Sequence, residues 1–171
     1  MRALVPPILV LAIAACVPRR EPPPPPATPT VVIATPTPAP LGSDWRDWPL
    51  TPGTWSYRQD ARGSLALFGR AGEDAGMTLR CDRAARRIYL SRRGEVAGAL
   101  TVRTTSVTRA LAMQPTGGTP PYVAAALAPA DPLLDAIGFS RGRFTVEQAG
   151  AATLVVPAWP EIERVTEDCR G

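Results

Sequence analysis

The sequence predicts a mainly β domain, built as an antiparallel β-sandwich or a partly open barrel, with two short helices near its C-terminus. Nine short runs alternate between apolar and polar side chains, which is the period of a strand with one buried face. Glycine, proline, aspartate and serine separate these runs, as they do in the turns of antiparallel sheets. An all-α domain is disfavoured because no apolar helical stripe extends beyond about two or three turns.

The alternating runs have about four to seven residues each, a usual length for strands of a sandwich. Their apolar positions lie two residues apart, so each run presents one face to a core. We predict strands at residues 54–57, 64–68, 77–81, 87–91, 99–104, 109–113, 122–127, 143–147 and 153–156.

The first helix is predicted over residues 131–138. Asp131 is a good N-cap, and Pro132 suits the first turn, where its missing N–H has no intrahelical partner to lose. Gly138 fits a left-handed helix stop. The predicted buried face is apolar and consists of Leu133, Leu134 and Ile137.

A second helix is predicted to begin at Pro160. Glu161 and Glu163 fall in its first turn, where the helix dipole favours negative charge. One stripe of this helix carries apolar side chains, so we expect that stripe to pack on the core; its members are Ile162, Val165 and Cys169.

Residues 1–15 are predicted to form a lipoprotein signal peptide. Arg2 precedes an apolar run over residues 3–12, which is shorter than the roughly 20 residues that a spanning helix needs. Residues 13–16, Ile-Ala-Ala-Cys, resemble the lipobox of bacterial lipoproteins. The resemblance implies that Cys16 is acylated and anchors the protein in a lipid bilayer. An ordinary secretory signal that happens to contain a cysteine is the alternative.

The same resemblance implies a place in the bacterial cell envelope. Val17 occupies the position at which an aspartate resembles the retention signal of some inner-membrane lipoproteins. We therefore expect an outer-membrane lipoprotein that faces the periplasm, with inner-membrane anchoring as the alternative.

Residues 16–42 are predicted to form the lipidated cysteine and a disordered, proline-rich tether. The proline run at residues 22–26 and the prolines around it cannot build a hydrogen-bonded helix or a central strand. In polyproline II geometry about 25 residues reach on the order of 75 Å. That length would hold the globular domain, residues 43–171, clear of a membrane surface. A proline-rich docking ligand is the alternative.

The cysteine count agrees with acylation. Of the three cysteines, lipidation of Cys16 leaves Cys81 and Cys169, an even pair in an oxidising compartment. Both share a face with apolar neighbours and point toward the core, so we predict a disulfide between them. A redox-active pair usually has Cys-x-x-Cys spacing, which this pair lacks.

Composition excludes several classes of chemistry. All 19 basic residues are arginine, and the chain has no lysine, histidine or asparagine. A Ser-His-Asp or Cys-His nucleophile, a histidine metal site and a Schiff-base lysine therefore cannot be built. We expect no metal and no cofactor. The net charge of +4 is too modest to indicate a nucleic-acid partner.

Four tryptophans are candidates for surface contacts. Trp45, Trp48 and Trp55 gather where the tether meets the domain, and Trp159 lies far downstream. Exposed tryptophans would indicate a carbohydrate or protein contact. We favour packing at the edge of the core, because large aromatic side chains near a first strand usually close it.

Arg141 and Arg143 are the candidate anion-binding residues. They flank a glycine directly after the first predicted helix, so both guanidinium groups could approach one carboxylate or phosphate. The alternative places both on the outward face of a strand whose inward face is apolar. A wider basic face would form if the strands that carry Arg80, Arg103 and Arg109 are neighbours.

Several segments are similar to small envelope proteins of alphaproteobacteria. The resemblance covers roughly residues 45–170 and lies in segments 131–135, 139–144, 157–161 and 167–170. In size and layout the domain also resembles, more distantly, the invasion-associated locus B group of periplasmic β-proteins with disulfides. These resemblances imply a periplasmic β-domain and bring no activity and no catalytic residue.

We predict a membrane-anchored periplasmic protein that acts by binding an envelope protein or an acidic envelope polymer, and we assign no catalytic residue. The main alternative is a carboxylate-based hydrolase of envelope glycan. Such an enzyme needs two carboxylates about 5 to 9.5 Å apart across a cleft. The candidates are Asp60, Glu73, Asp74, Asp82, Asp135 and Glu147. A purely structural envelope component is the third interpretation.

Overall fold

The computed structural model describes residues 42–171, which form one antiparallel sheet of nine strands that does not close, together with two short helices. This confirms the predicted fold class. The predicted signal peptide, Cys16 and nearly all of the predicted tether lie outside the described residues. A short 3-10 helix at Trp45–Asp47 precedes the strands β1 Thr54–Asp60, β2 Gly63–Gly69, β3 Met77–Asp82, β4 Arg87–Arg93, β5 Gly98–Arg103, β6 Thr108–Pro115, β7 Tyr122–Leu127, β8 Arg143–Gln148 and β9 Leu154–Pro157.

The strand order is β1-β2-β3-β4-β7-β6-β5-β8-β9. Strand β6 pairs with β5 from Thr108 to Met113 but with β7 only through Gln114 and Pro115. The sheet therefore bends at β6, and β1, β2, β3, β4 and β7 form one half while β5, β8 and β9 belong to the other. This bend makes the single sheet sandwich-like.

All nine predicted strands are present. The alternation of apolar and polar residues that predicts them matches the alternation of buried and exposed side chains along each strand. In β3, Met77, Leu79 and Cys81 are buried while the residues between them are partly exposed. In β4 the buried face holds Ile88 and Leu90. Inward side chains from both halves of the sheet and from both helices meet in one apolar cluster.

The two edges of the sheet approach each other without a continuous ladder. The amide of Thr51 donates to the carbonyl of Val155 on β9 at 2.9 Å, and the amide of Val155 donates to the Thr51 hydroxyl at 2.9 Å. The indole N–H of Trp55 on β1 donates to the carbonyl of Pro157 at 2.8 Å. These contacts fix β1 near β9 across the opening of the bent sheet.

The first helix, α1, spans Pro132–Gly138. Its cap is as predicted, because the Asp131 carboxylate accepts the amide N–H of Leu133 at 2.9 Å. The predicted left-handed stop at Gly138 is wrong, since Gly138 is not among the glycines with positive φ and is still helical. A Cβ at this position would lie 1.5 Å from Oε1 of Glu163, so the glycine allows close approach of the second helix.

The second helix, α2, spans Pro160–Arg170 and buries Ile162 and Val165 as predicted. It packs across β1, β2 and β3 and against α1. Burial raises the pKa of Glu163, and the nearby charge of Asp135 adds to this effect while Arg170 opposes it. No helix in residues 42–171 has both the length and the apolar character to cross a membrane.

Candidate functional site

The structure joins Cys81 of β3 to Cys169 of α2 by a disulfide, with a Cα–Cα distance of 5.4 Å. This is the pair that the sequence predicts. Cys81 is fully buried and Cys169 packs at the margin of the core. The bond therefore holds the C-terminal half of α2 against the end of β3 and the turn that follows it.

Beside this disulfide lies a cavity of about 700 Å³, which we call the arginine pocket. Two of its arginines come from the turn between β3 and β4, and two come from α2. Two acidic side chains of α2 also line it. The charged lining residues are Arg83, Arg86, Arg164, Arg170, Glu167 and Asp168.

Three of these guanidinium groups have no ionic partner within the described residues. Eight of the sixteen arginines in residues 42–171 lie within 4.0 Å of a carboxylate oxygen. Arg170 belongs to that group, because it contacts Asp135 at 2.8 Å. Arg83, Arg86 and Arg164 do not belong to it, so the pocket brings together three guanidinium groups that have no carboxylate oxygen of the described residues within 4.0 Å.

Asp168, whose charge interacts with those of Arg83 and Arg164, is already engaged by a hydrogen bond. The Tyr57 hydroxyl donates to Oδ2 of Asp168 at 2.6 Å, and the Arg164 guanidinium carbon lies 4.0 Å from the centre of the Tyr57 ring. Burial acts against ionisation of Asp168, but the Tyr57 hydrogen bond and the charges of Arg83 and Arg164 together hold its pKa below the usual range. Tyr57 thus organises both Asp168 and Arg164 at the pocket wall.

Arg86 is held in a backbone conformation that favours glycine. Its φ is +50°, and it is the only residue other than glycine with positive φ in residues 42–171. The turn around it is closed by hydrogen bonds from the amide of Arg86 to the carbonyl of Arg83 at 3.3 Å and from the amide of Ala85 to Oδ1 of Asp82 at 3.0 Å. A side chain in this region costs of order 1 kcal/mol, and such positions cluster at functional sites.

Arg141 and Arg143 do not have the geometry that the sequence predicts. Gly142 between them has φ of +79°, so the three residues are not the extended strand segment on which two side chains would share a face. Strand β8 begins only at Arg143, whose Nη1 donates to the carbonyl of Trp48. Arg141 is exposed, and neither arginine lines the arginine pocket.

The wider basic face that could have joined Arg80, Arg103 and Arg109 is also absent from the described part of the chain. Strand β3 is separated from β6 by β4 and β7. Each of these arginines has its own carboxylate, and the contacts are Arg80–Asp60 at 2.8 Å, Arg103–Glu147 at 3.4 Å and Arg109–Asp131 at 2.7 Å.

The six carboxylates considered for a hydrolase are each within 4.0 Å of an arginine. The hydrogen bond from Arg80 is the largest influence that lowers the pKa of Asp60 to about 2, and hydrogen bonds from the Ala85 amide and from Arg62 lower the pKa of Asp82. A glycosidase acid needs the opposite shift, because it must stay protonated near neutral pH. Asp60 and Asp82 are therefore poor candidates for that role.

The tryptophans divide between packing and exposure. Trp45 and Trp55 are buried, as the packing interpretation predicts. Trp48 is partly buried and its indole N–H donates to the carbonyl of Gly42 at 2.6 Å. Trp159 retains 41% of its surface exposed, so it alone of the four is free to contact a partner.

Comparisons with protein-family models, with curated proteins and with solved structures find no match to this chain. Within residues 42–171 no group of three or more cysteine, aspartate or glutamate side chains is placed to hold a metal ion. The candidate site is the arginine pocket, which its lining residues define. No local pattern in the sequence singles out Arg83, Arg86 and Arg164, although the predicted disulfide would have brought the segments that carry them together.

Proposed function

We propose that this protein is an envelope lipoprotein, anchored through acylated Cys16 in the outer membrane, whose periplasmic domain binds an acidic envelope ligand in the arginine pocket. The observation that carries the proposal is the convergence of Arg83, Arg86 and Arg164 on one cavity without carboxylate partners in the described residues. The lipobox at residues 13–16 supports the anchor.

The chemistry of the pocket selects a ligand with several anionic groups. Each guanidinium presents a planar fork that matches the oxygens of a carboxylate or phosphate. A cavity of about 700 Å³ is much larger than one such group. The three arginines are exposed, and an exposed ion pair contributes only about 0–1 kcal/mol, so useful affinity requires that one ligand engage them together.

The first test removes the arginines without disturbing the fold. Arg86→Gly deletes one guanidinium at a position where glycine is free of steric cost, so the free energy of unfolding should stay within about 1 kcal/mol of the wild type. We expect Arg86→Gly to weaken binding of polyphosphate or polyglutamate about threefold. Arg83→Ala combined with Arg164→Ala should weaken it about tenfold, which corresponds to about 1.4 kcal/mol. Titration of the purified, detergent-solubilised protein at low and moderate salt measures both.

Arg141→Ala is the matched control, because it removes the same charge from an exposed arginine outside the pocket. If Arg141→Ala weakens polyanion binding as much as the pocket variants do, binding depends on the net charge of the protein alone. The arginine pocket would then not be a specific binding site. Affinity that does not change with salt would also contradict a site built from exposed guanidinium groups.

The second test concerns the anchor. Cys16→Ser should leave the precursor without acyl chains, so the protein should move from the membrane pellet to the soluble fraction. The expected change is nearly complete, since the predicted tether offers no apolar span of its own. Fractionation followed by a carbonate wash measures it. A Cys16→Ser protein that stays with washed membranes would show that something other than this cysteine holds it there.

A further inference from the structure

A second concave surface lies on the outer face of the sheet, in a different place from the arginine pocket. Two cavities of about 420 and 360 Å³ adjoin there and share the lining residues Thr78, Arg80, Ser91 and Thr116. We call the combined surface the hydroxyl trough, after its three shared hydroxyl side chains; Tyr89 and Ala124 line it as well.

The strand register explains why this surface is concave. Thr78 of β3 pairs with Ser91 of β4, and Ser91 pairs with Ala124 of β7, so one row across three strands holds only small side chains. In the next outward row, Arg80 pairs with Tyr89, and both are large. The small row forms the floor of the trough and the large row forms one wall.

The opposite wall is made by two loops that are tied to β7. The Tyr122 hydroxyl donates to the carbonyl of Ala75 at 2.6 Å, which fixes the loop between β2 and β3. The amide of Thr116 donates to the carbonyl of Tyr122 at 2.8 Å, which fixes the start of the loop between β6 and β7. The trough is therefore preformed, which lowers the entropic cost of binding a ligand.

The trough carries charges of both signs, because Arg58, Glu73 and Asp74 line one of its two cavities together with Arg80. Arg80 contacts Asp60 at 2.8 Å, and Arg62 at the trough margin contacts Asp82 at 2.6 Å. Their guanidinium groups are thus neutralised, yet they remain fixed hydrogen-bond donors. The hydroxyl groups of the trough add donors and acceptors, and Leu65 and Leu67 add apolar surface at one end.

We propose that the hydroxyl trough binds a neutral glycan strand. Hydroxyl and fixed guanidinium groups suit the hydroxyl groups of sugars, while the Tyr89 ring offers a face for their C–H groups. From β3 through β4 to β7 the floor crosses two strand spacings, roughly 9.5 Å, so more than one sugar unit fits. An extended peptide suits it less, because β2, β3 and β4 are each paired on both sides and have no free backbone edge for it.

The test uses the detergent-solubilised full chain and N-acetylglucosamine β-1,4 oligomers of two to six units as probes. We expect affinity to rise with oligomer length until the trough is filled. Tyr89→Ala should weaken binding of the hexamer about tenfold through loss of the ring, and Thr78→Val, which keeps the shape of the side chain, about threefold through loss of one hydroxyl. Thermal unfolding of each variant reports whether the fold is retained.

Arg141→Ala is the control, because Arg141 is exposed and lines neither the trough nor the arginine pocket, so this variant should leave hexamer affinity unchanged. Failure of the hexamer to bind at millimolar concentration would overturn the glycan proposal and leave the acidic-ligand proposal intact. Binding that Tyr89→Ala and Thr78→Val both leave unchanged would overturn it too, as would tighter binding of an uncharged extended decapeptide than of the hexamer.

Discussion

We expect Cys81→Ala combined with Cys169→Ala to lower the free energy of unfolding by about 2–5 kcal/mol. The disulfide closes a loop with a sequence separation of 88 residues, for which the chain-entropy model gives about 4–5 kcal/mol. It also ties α2 to β3, and α2 has only a short apolar stripe of its own. Urea unfolding followed by tryptophan fluorescence measures the difference.

The reduced wild-type protein is the matched control for this variant. Wild type treated with a reductant should lose about as much stability as the double variant, and the variant should not respond to reductant at all. The mapping of non-reduced peptides from protein isolated from its native host tests the bond directly. Two free thiols in that experiment would contradict the disulfide, and a double variant as stable as the wild type would contradict its energetic role.

Arg92→Ala should have the next largest effect, a loss of about 3 kcal/mol. Arg92 on β4 is 4% exposed and has no carboxylate partner in the described residues. Its Nη1 donates to the carbonyl of Val146 on β8 at 3.2 Å, and its Nη2 donates to the carbonyl of Ala152. Truncation therefore leaves a cavity and breaks a link between the two halves of the sheet.

Arg92→Met distinguishes the contribution of side-chain volume to stability from that of the charged, hydrogen-bonding group. Burial lowers the pKa of the Arg92 guanidinium, because the charged form is poorly solvated there. Methionine keeps the length of the side chain and removes the desolvated charge, so its loss should be no more than about 1 kcal/mol. If Arg92→Met and Arg92→Ala lower the free energy of unfolding equally, the whole loss comes from the broken hydrogen bonds. An Arg92→Ala variant as stable as the wild type would show that the link is not needed.

The disulfide and the arginine pocket are connected through α2. Arg164 lies on the same helix as Cys169, and the pocket lies directly beside the bond. Loss of the disulfide would free this end of the helix, so the pocket depends on the bond for its shape. The hydroxyl trough is built on the register of β3, β4 and β7 and does not contain α2 residues.

Local patterns predicted the elements of this fold well. The period-two alternation gave all nine strands, and the cap at Asp131 with Pro132 gave the start of α1. The same alternation extends past the predicted end of β4, so it places Arg92 on the inner face with Ile88 and Leu90. That signal was present in the sequence, but a charged residue on an apolar face is easily taken as the end of the strand.

Local patterns failed where contacts are distant in sequence. Gly138 looked like a helix stop, but it is still helical, and the Glu163 side chain of another helix lies against it. Arg141 and Arg143 looked like a pair, but the positive φ of Gly142 separates their directions. Hydrophobic pattern does not report the conformation of a single glycine or the partner that packs on it.

The sequence by itself determined the nine strands, the two α-helices, the two faces of each strand and the cysteine pair, because burial repeats with the period of the backbone. Only the tertiary structure decided the strand order, the bend at β6 and the meeting of Arg83 and Arg86 with Arg164. These features depend on contacts between residues far apart along the chain. The period of the hydrophobic pattern and the strand propensity of each segment are local properties. They are the same for many strand orders, so they do not determine which order the protein adopts.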